Sequence, residues 1–450
     1  MTNKSTFGPG DLRQSWQRLG PAYLICFHII VCCVSLACLS PLYNRAGILF
    51  DETGLYLAIV SVAAFAIVSV PFAFARFSFG YFVGFYFLTM IVGFLWLNGF
   101  SKLNYNHETA ALSAVASAIA FFVPALLITS PIKQIYALSA RALDRLLMFI
   151  LVLAAGTIVL GAIYNFRVVA IGDIYSLREK LQFPTLLNYL IGITSNALLP
   201  FAFACFTARA NTWRAAAVLL LLVLFYPITL SKLALFTPFW LVAIVLLSRI
   251  FEAKSVVVLS LVLPILVGLL FLIFQPERSV IFDPPTFQYK YLSLVNFRMI
   301  AVPSSALDFY NDFFSTHPFT YYCQISLLKH FMSCPYNEPL AIVMTEYGRG
   351  NFNASLFATE GLASVGPLFA PIAVFACGLV IALGSRVSAG LPPRFILTSS
   401  AIITQAILNV PLTTILLTHG GAILFLLWYV VPRTAFAQQS SSGKLPAEAD

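Results

Sequence analysis

Apolar runs of about 18 or more residues recur along almost the whole of this 450-residue chain. As a helix, one such run crosses a hydrocarbon core of about 30 Å. Lipid offers no partners for free backbone N–H and C=O groups, so a spanning segment must satisfy them within a helix or a closed barrel. Barrel strands would alternate apolar and polar residues over segments of about ten, and these runs do not alternate. Composition agrees: 60% of the residues are hydrophobic and 10% charged, where soluble domains carry about 25% charged residues. The expected fold is all-α, a polytopic membrane helical bundle that forms one integral domain over 1–450.

Twelve transmembrane helices are expected, near 21–42, 54–75, 78–98, 109–129, 146–165, 189–208, 214–230, 233–248, 255–274, 361–384, 395–410 and 413–431. The seventh and eighth are short and are separated only by Ser231 and Lys232, so one broken or re-entrant unit is the alternative. With the N-terminus in the cytoplasm, the short cytoplasmic connections collect Arg76, Lys133, Arg141, Arg145, Arg209, Arg214, Arg249, Lys254, Arg386 and Arg394. That is the bias that orients membrane helices, and it puts both termini in the cytoplasm. The formal charge of +9 is a topology signal, with no nucleic-acid patch in it. The first span is too long for a signal h-region and lacks a cleavage site, so it is expected to be retained. The tail 434–450 reads as disordered. There is no internal repeat and no low-complexity core.

Two polar segments interrupt the pattern, and both are expected on the outer face. The smaller, 166–188, holds Arg167, Asp173, Arg178, Glu179 and Lys180. The larger, 276–360, separates the ninth and tenth spans and is expected to be partly helical. A bare bundle has no need of such a loop, which marks it as the working part of a membrane enzyme or transporter. Within it, Ser304–Phe314 has the rhythm of an amphipathic helix. Such a helix lies in the membrane interface with its aromatic face on lipid or packs against the bundle. Cys323 and Cys334 fall in the same loop, where an oxidising compartment would permit a disulfide. The other cysteines lie in spans as buried thiols.

No P-loop, H-E-x-x-H motif, Cys/His pair at zinc spacing or nucleophile elbow is present. No metal and no nucleotide cofactor is therefore expected. The basic residues remain to be explained. Lys232, between two apolar runs, either snorkels to the outer interface or contacts an anionic headgroup. Arg178 either pairs with Asp173 or Glu179, or grips pyrophosphate with its planar fork. Arg298 either pairs with Asp308 or Asp312, or forms a second phosphate clamp. Arg349 sits in a turn that favours solvation. A base able to take a proton from an attacking hydroxyl could be Asp308, Asp312, His317, His330, Glu346 or Glu360. Glu360 is the best placed, at the mouth of the tenth span.

Four blocks in order resemble the oligosaccharide repeat-unit polymerases, the Wzy-type O-antigen or exopolysaccharide polymerases of bacteria. The first is Asp173-Ile174-Tyr175-Ser176-Leu177-Arg178, followed by Asn196-Ala197-Leu198-Leu199-Pro200. The second runs from Leu230-Ser231-Lys232 to Pro238. The third is Phe297-Arg298 with Phe309-Tyr310 and Pro318. The fourth is Asn353-Ala354-Ser355, then Ala358-Thr359-Glu360-Gly361 and Gly366. Ser231-Lys232 lacks the Gly that usually precedes such a pair, and Gly366 is followed by Pro367.

The resemblance implies a metal-independent glycosyltransferase of the bacterial inner membrane, acting at its periplasmic face. Its substrates would be undecaprenyl-pyrophosphate-linked oligosaccharides, with a chain-length regulator and a flippase as partners. It implies Arg178, Lys232 and Arg298 as the groups that stabilise the departing diphosphate, and Glu360 or His317 as the base. Arg167, Asp308, Tyr310, Arg349 and Asn353 would be further substrate contacts. An O-antigen ligase or another lipid-linked-sugar glycosyltransferase is the nearest alternative. A flippase or other transporter is more distant, because transporters tend to show two related halves with substrate groups at the midplane.

Overall fold

Long apolar runs fold as helices here because each helix satisfies its own backbone in a setting without water. The computed structural model describes residues 9–40, 47–169, 177, 181–274, 286–325, 328, 331–348, 350, 352 and 355–433, with side chains from Gly20 onward. Among these residues nine helices are long and apolar enough to cross a membrane. They are Gly20–Cys38, Phe79–Asn98, His107–Leu127, Ala140–Tyr164, Thr185–Ala208, Thr212–Thr229, Lys232–Ile250, Ala253–Phe274 and Phe357–Ser388. Glu52–Val68 and Gly421–Val430 are shorter apolar helices. The described residues contain no strand beyond one isolated bridge between Ile48 and Ser101. The protein is thus an all-helical, multi-pass membrane protein. Thr212–Thr229 and Lys232–Ile250 are two separate helices, joined through Leu230 in the left-handed conformation at φ 47°.

The chain divides into two compact units. One comprises residues 1–77, 84–127 and 254–378, the other 78–83, 128–253 and 379–450. In the first, the described part of the large loop folds back onto the helices. It holds the helices Phe287–Leu294, Val302–Phe314 and Leu340–Glu346. Val302–Phe314 is buried from Pro303 to Phe314, so the lipid-interface alternative for this segment gives way to packing. The reason lies in its polar residues, which have protein partners in place of water. Ser304 Oγ donates to the Met90 carbonyl at 3.2 Å. Asn311 Nδ2 donates to Leu307 O at 2.8 Å. Asp308 accepts from Ser101 Oγ at 3.0 Å and from Tyr105 Oη, and Asp312 from the Asn104 amide at 3.1 Å.

Glycine makes the close approach possible. A Cβ on Gly93 would lie 2.1 Å from Ser304 Oγ and 2.9 Å from its Cβ. Gly93→Ala is therefore expected to destabilise the protein by about 1–2 kcal/mol through overpacking. Helix propensity alone favours alanine by up to about 1 kcal/mol, so a net fall in the thermal midpoint of the purified protein isolates the contact. An unchanged or raised midpoint would mean that the loop helix does not press on Gly93.

Cys323 and Cys334 are joined as a disulfide. The segment before it is pinned to the start of the long helix at 363–388. The Thr320 and Tyr321 amides donate to the carbonyls of Ala363 at 2.8 Å and Ser364 at 3.1 Å. In the second unit, Phe201 meets Phe395 edge-on at 5.8 Å. Trp428 Nε1 donates to Ser399 Oγ at 3.0 Å, which satisfies the one polar atom of a fully buried ring.

Candidate functional site

Among the described residues the regular helix is interrupted at several places. Thr194–Leu198, Phe297–Ala301 and Phe357–Leu362 are π-helical turns, and Leu230 takes a positive φ of 47°. π-turns account for well under 1% of residues in ordinary proteins and are frequent at functional sites. An inserted residue rotates the side chains beyond it onto a new face and redirects carbonyls from their usual partners. Near Phe357–Leu362 those carbonyls find other donors: Ser364 Oγ reaches Thr359 O at 2.6 Å and Thr320 Oγ1 reaches Ala363 O at 3.2 Å. Four residues further on, Gly366 breaks the helix with φ 75°, a value few side chains tolerate.

In the second unit the described residues Asn165, Arg167, Val169, Leu177 and Leu181 lie on the tip of the hairpin that carries Lys232. Pro227, Ile228 and Thr229 end their helix, so their carbonyls have no intrahelical partners. Asn165 Nδ2 donates to Pro227 O and Ile228 O, each at 2.9 Å, and the Arg167 amide donates to Pro227 O at 3.0 Å. Tyr226 Oη donates to Val169 O, and Val169, Leu177, Leu181 and Leu235 pack around Tyr226 and Leu230. Lys232, half-buried, is the first residue of its helix, and the Ser231 side chain makes no capping bond there. The amides at that end, with the helix dipole behind them, favour an anion. Arg167 is exposed beside the same tip.

In the first unit the Val302–Phe314 helix continues directly from the π turn that carries Arg298 and packs against the π turn that carries Glu360. Arg298 is exposed and Glu360 is buried. Glu360 accepts from Thr359 Oγ1 at 3.0 Å. Burial above all, then the neighbouring Cys377 sulfur and the Glu360 carboxylate, holds the Tyr322 phenol above its usual range. Asp308 and Tyr310 are built into the packing. Tyr310 is fully buried, its hydroxyl donates to Phe352 O at 3.3 Å, and burial raises that phenol too. His317 is half-buried with its ring stacked on Phe313 at 4.1 Å and edge-on to Tyr347 at 5.5 Å. Its Nδ1 lies 2.9 Å from the Phe313 carbonyl. Thr316 Oγ1 lies 2.9 Å from the same nitrogen, and in the tautomer that donates from Nδ1 to the carbonyl, Nε2 is the accepting nitrogen.

The structure thus groups Arg167 with Lys232 in one unit, and Arg298, Asp308, Tyr310, His317 and Glu360 in the other. Glu346 ends its short helix exposed, and Asp312 is buried. Arg178, Arg349, Asn353 and His330 lie outside the described residues. Sequence reading passed over Tyr105 and Ser101, the donors to Asp308, and over Asn165 and Asn296. A signal for the two asparagines was present: each opens the same tripeptide, Asn-Phe-Arg. No family model matches this chain, and no curated protein and no solved structure matches it.

Proposed function

We propose that this chain is a Wzy-type glycosyltransferase of the bacterial inner membrane that polymerises undecaprenyl-pyrophosphate-linked repeat units at the periplasmic face. The reading takes the chain across the membrane twelve times, with both termini cytoplasmic and the 276–360 loop outside. One observation carries it. The blocks of the resemblance around Asn196, Lys232, Arg298 and Glu360 take in all three π turns and the left-handed Leu230, while other helix breaks, at Ser69 and Ala210, lie outside them. Lipid forbids irregular backbone except where protein or a water-filled cavity surrounds it.

In the proposed reaction a sugar hydroxyl of one lipid-linked unit attacks the anomeric carbon of another. The new carbon–oxygen bond forms as the bond to the lipid diphosphate breaks, and the diphosphate leaves with both electrons. Charge develops on the leaving phosphate oxygens, a role suited in the second unit to Lys232 and the amides beside it, and in the first to Arg298. The hydroxyl proton passes to His317 Nε2. Glu360 is the second candidate for that role, and Asp308 holds the loop that presents the base.

The test is polymer synthesis by the purified protein in nanodiscs from undecaprenyl-pyrophosphate-linked repeat units. Wild-type protein is expected to extend them. His317→Gln is expected to slow extension by about 10²–10⁴-fold at unchanged thermal midpoint. Transfer to lipid A core without extension would replace the polymerase reading with a ligase. Translocation of the lipid-linked unit without a new glycosidic bond would replace it with a flippase. A His317→Gln enzyme at wild-type rate would move the base role to Glu360.

A further inference from the structure

The tripeptide Asn-Phe-Arg occurs at 165–167 and at 296–298, once in each unit. In both copies the asparagine is buried and the arginine two residues on is exposed. In both, the asparagine amide crosses to a neighbouring helix that contains a proline. Asn165 Nδ2 donates to Pro227 O and Ile228 O at 2.9 Å each. Asn296 Nδ2 donates to Ile265 O and Ser35 Oγ at 3.0 Å each, next to Pro264, whose own carbonyl takes the Tyr291 hydroxyl at 2.9 Å. Gly268 makes room for the second anchor, since a Cβ there would lie 1.9 Å from Asn296 Oδ1.

The backbone conformations differ. Asn165 is extended, at φ −157° and ψ 128°, and Asn296 is helical, at φ −57° and ψ −48°. What the copies share is the anchored side chain and the arginine it precedes, not a stretch of secondary structure. With the asparagine pinned, few backbone torsions separate the anchor from the arginine Cα, so the guanidinium starts from a fixed point. An arginine positioned in this way loses less freedom when it binds, and its fork matches phosphate oxygens two at a time.

We propose that the two elements are one device used twice, in which Asn165 and Asn296 are positioning residues that fix Arg167 and Arg298, each within its own unit, for the diphosphate of a lipid-linked substrate. This rests on the polymerase reading for the identity of the anion. The experiment uses the full-length protein in nanodiscs, titrated with undecaprenyl diphosphate and, separately, with undecaprenol. Arg167→Gln is expected to weaken diphosphate binding about tenfold, and Asn165→Leu by a similar factor. The double variant is expected to be no weaker than either single one, because the second change removes what the first has already disabled. Asn296→Leu with Arg298→Gln is expected to behave in the same way. Undecaprenol binding should not change in any variant.

Folded asparagine variants with wild-type affinity, or double variants whose losses multiply to about a hundredfold, would overturn the proposal and leave the polymerase reading intact. Wild-type protein that binds the diphosphate no better than undecaprenol would overturn both. Should Asn296→Leu fail to accumulate, Asn296→Ser carries that arm, and the Asn165 arm decides alone if neither does.

Discussion

Lys232→Ala is expected to cut the rate of polymer extension by about two to three orders of magnitude, the usual cost of losing one group that stabilises developing charge. Lys232 stands at the first position of its helix, where the first-turn amides and the helix dipole already favour an anion. Removing the ammonium takes away the mobile charge and leaves the fixed dipole, so a residual rate should survive. Alanine is a strong helix former and Lys232 is only half-buried, so the fold should persist. Lys232→Arg keeps the charge on a longer, planar head and should recover part of the rate. The measurement is initial extension in nanodiscs, with the thermal midpoint as the control for folding. An alanine variant within a few-fold of wild type would leave Lys232 as an interfacial anchor that snorkels toward water, and the leaving-group role would pass to the arginines.

The sequence carried the helices better than their interruptions. Hydropathy reports what solvent a segment tolerates, and for long runs such as Ala253–Phe274 that is enough to locate a helix. The stretch after Pro393 was less legible, because it breaks into Pro393–Ala406, Leu412–Leu417 and Gly421–Val430. The π turns were invisible, since nothing in Phe297–Ala301 or Phe357–Leu362 as a string marks an inserted residue. Such turns persist through contacts from elsewhere, such as Asn296 on Ile265 or Thr320 on Ala363. Ser304–Phe314 shows a different limit. Its amphipathic rhythm was plain, but a polar face looks the same whether it meets water or buried donors. Asp308 was legible as an acid of interest by type alone, while its partner Ser101 lies 207 residues away in the chain. The cysteines were legible as a pair because only two of them fall outside the spans.

Asp308→Ala is expected to cost about 2–3 kcal/mol and to loosen the 276–360 loop, since a buried acceptor disappears, the buried Ser101 hydroxyl loses its acceptor and the half-buried Tyr105 hydroxyl keeps Asn98 Oδ1 at 2.9 Å. Asp308 is fully buried, and Ser101 Oγ and Tyr105 Oη both donate to it. Asp308→Asn keeps the shape but sets an amide donor against one of those donors, so it should recover only part of the loss. Tyr105→Phe removes one donor and should cost about 1.5–3 kcal/mol, the range for a bond to a charged group. The double variant should cost less than the sum, because the two changes share one contact. The pH dependence has a definite sign. Burial first, then the Asp308 charge, holds the Tyr105 phenol above its ordinary value of about 10. The unfolded chain therefore loses that proton before the native one does. The contact's contribution is complete below about pH 10 and is lost as pH rises beyond it. Thermal midpoints from pH 7 to 11, with protease cleavage of the 276–360 loop as a local readout, would show a steeper alkaline fall in wild type than in Tyr105→Phe. Parallel profiles in the two proteins would mean that Asp308 is held by other groups, and that the loop does not depend on the tyrosine.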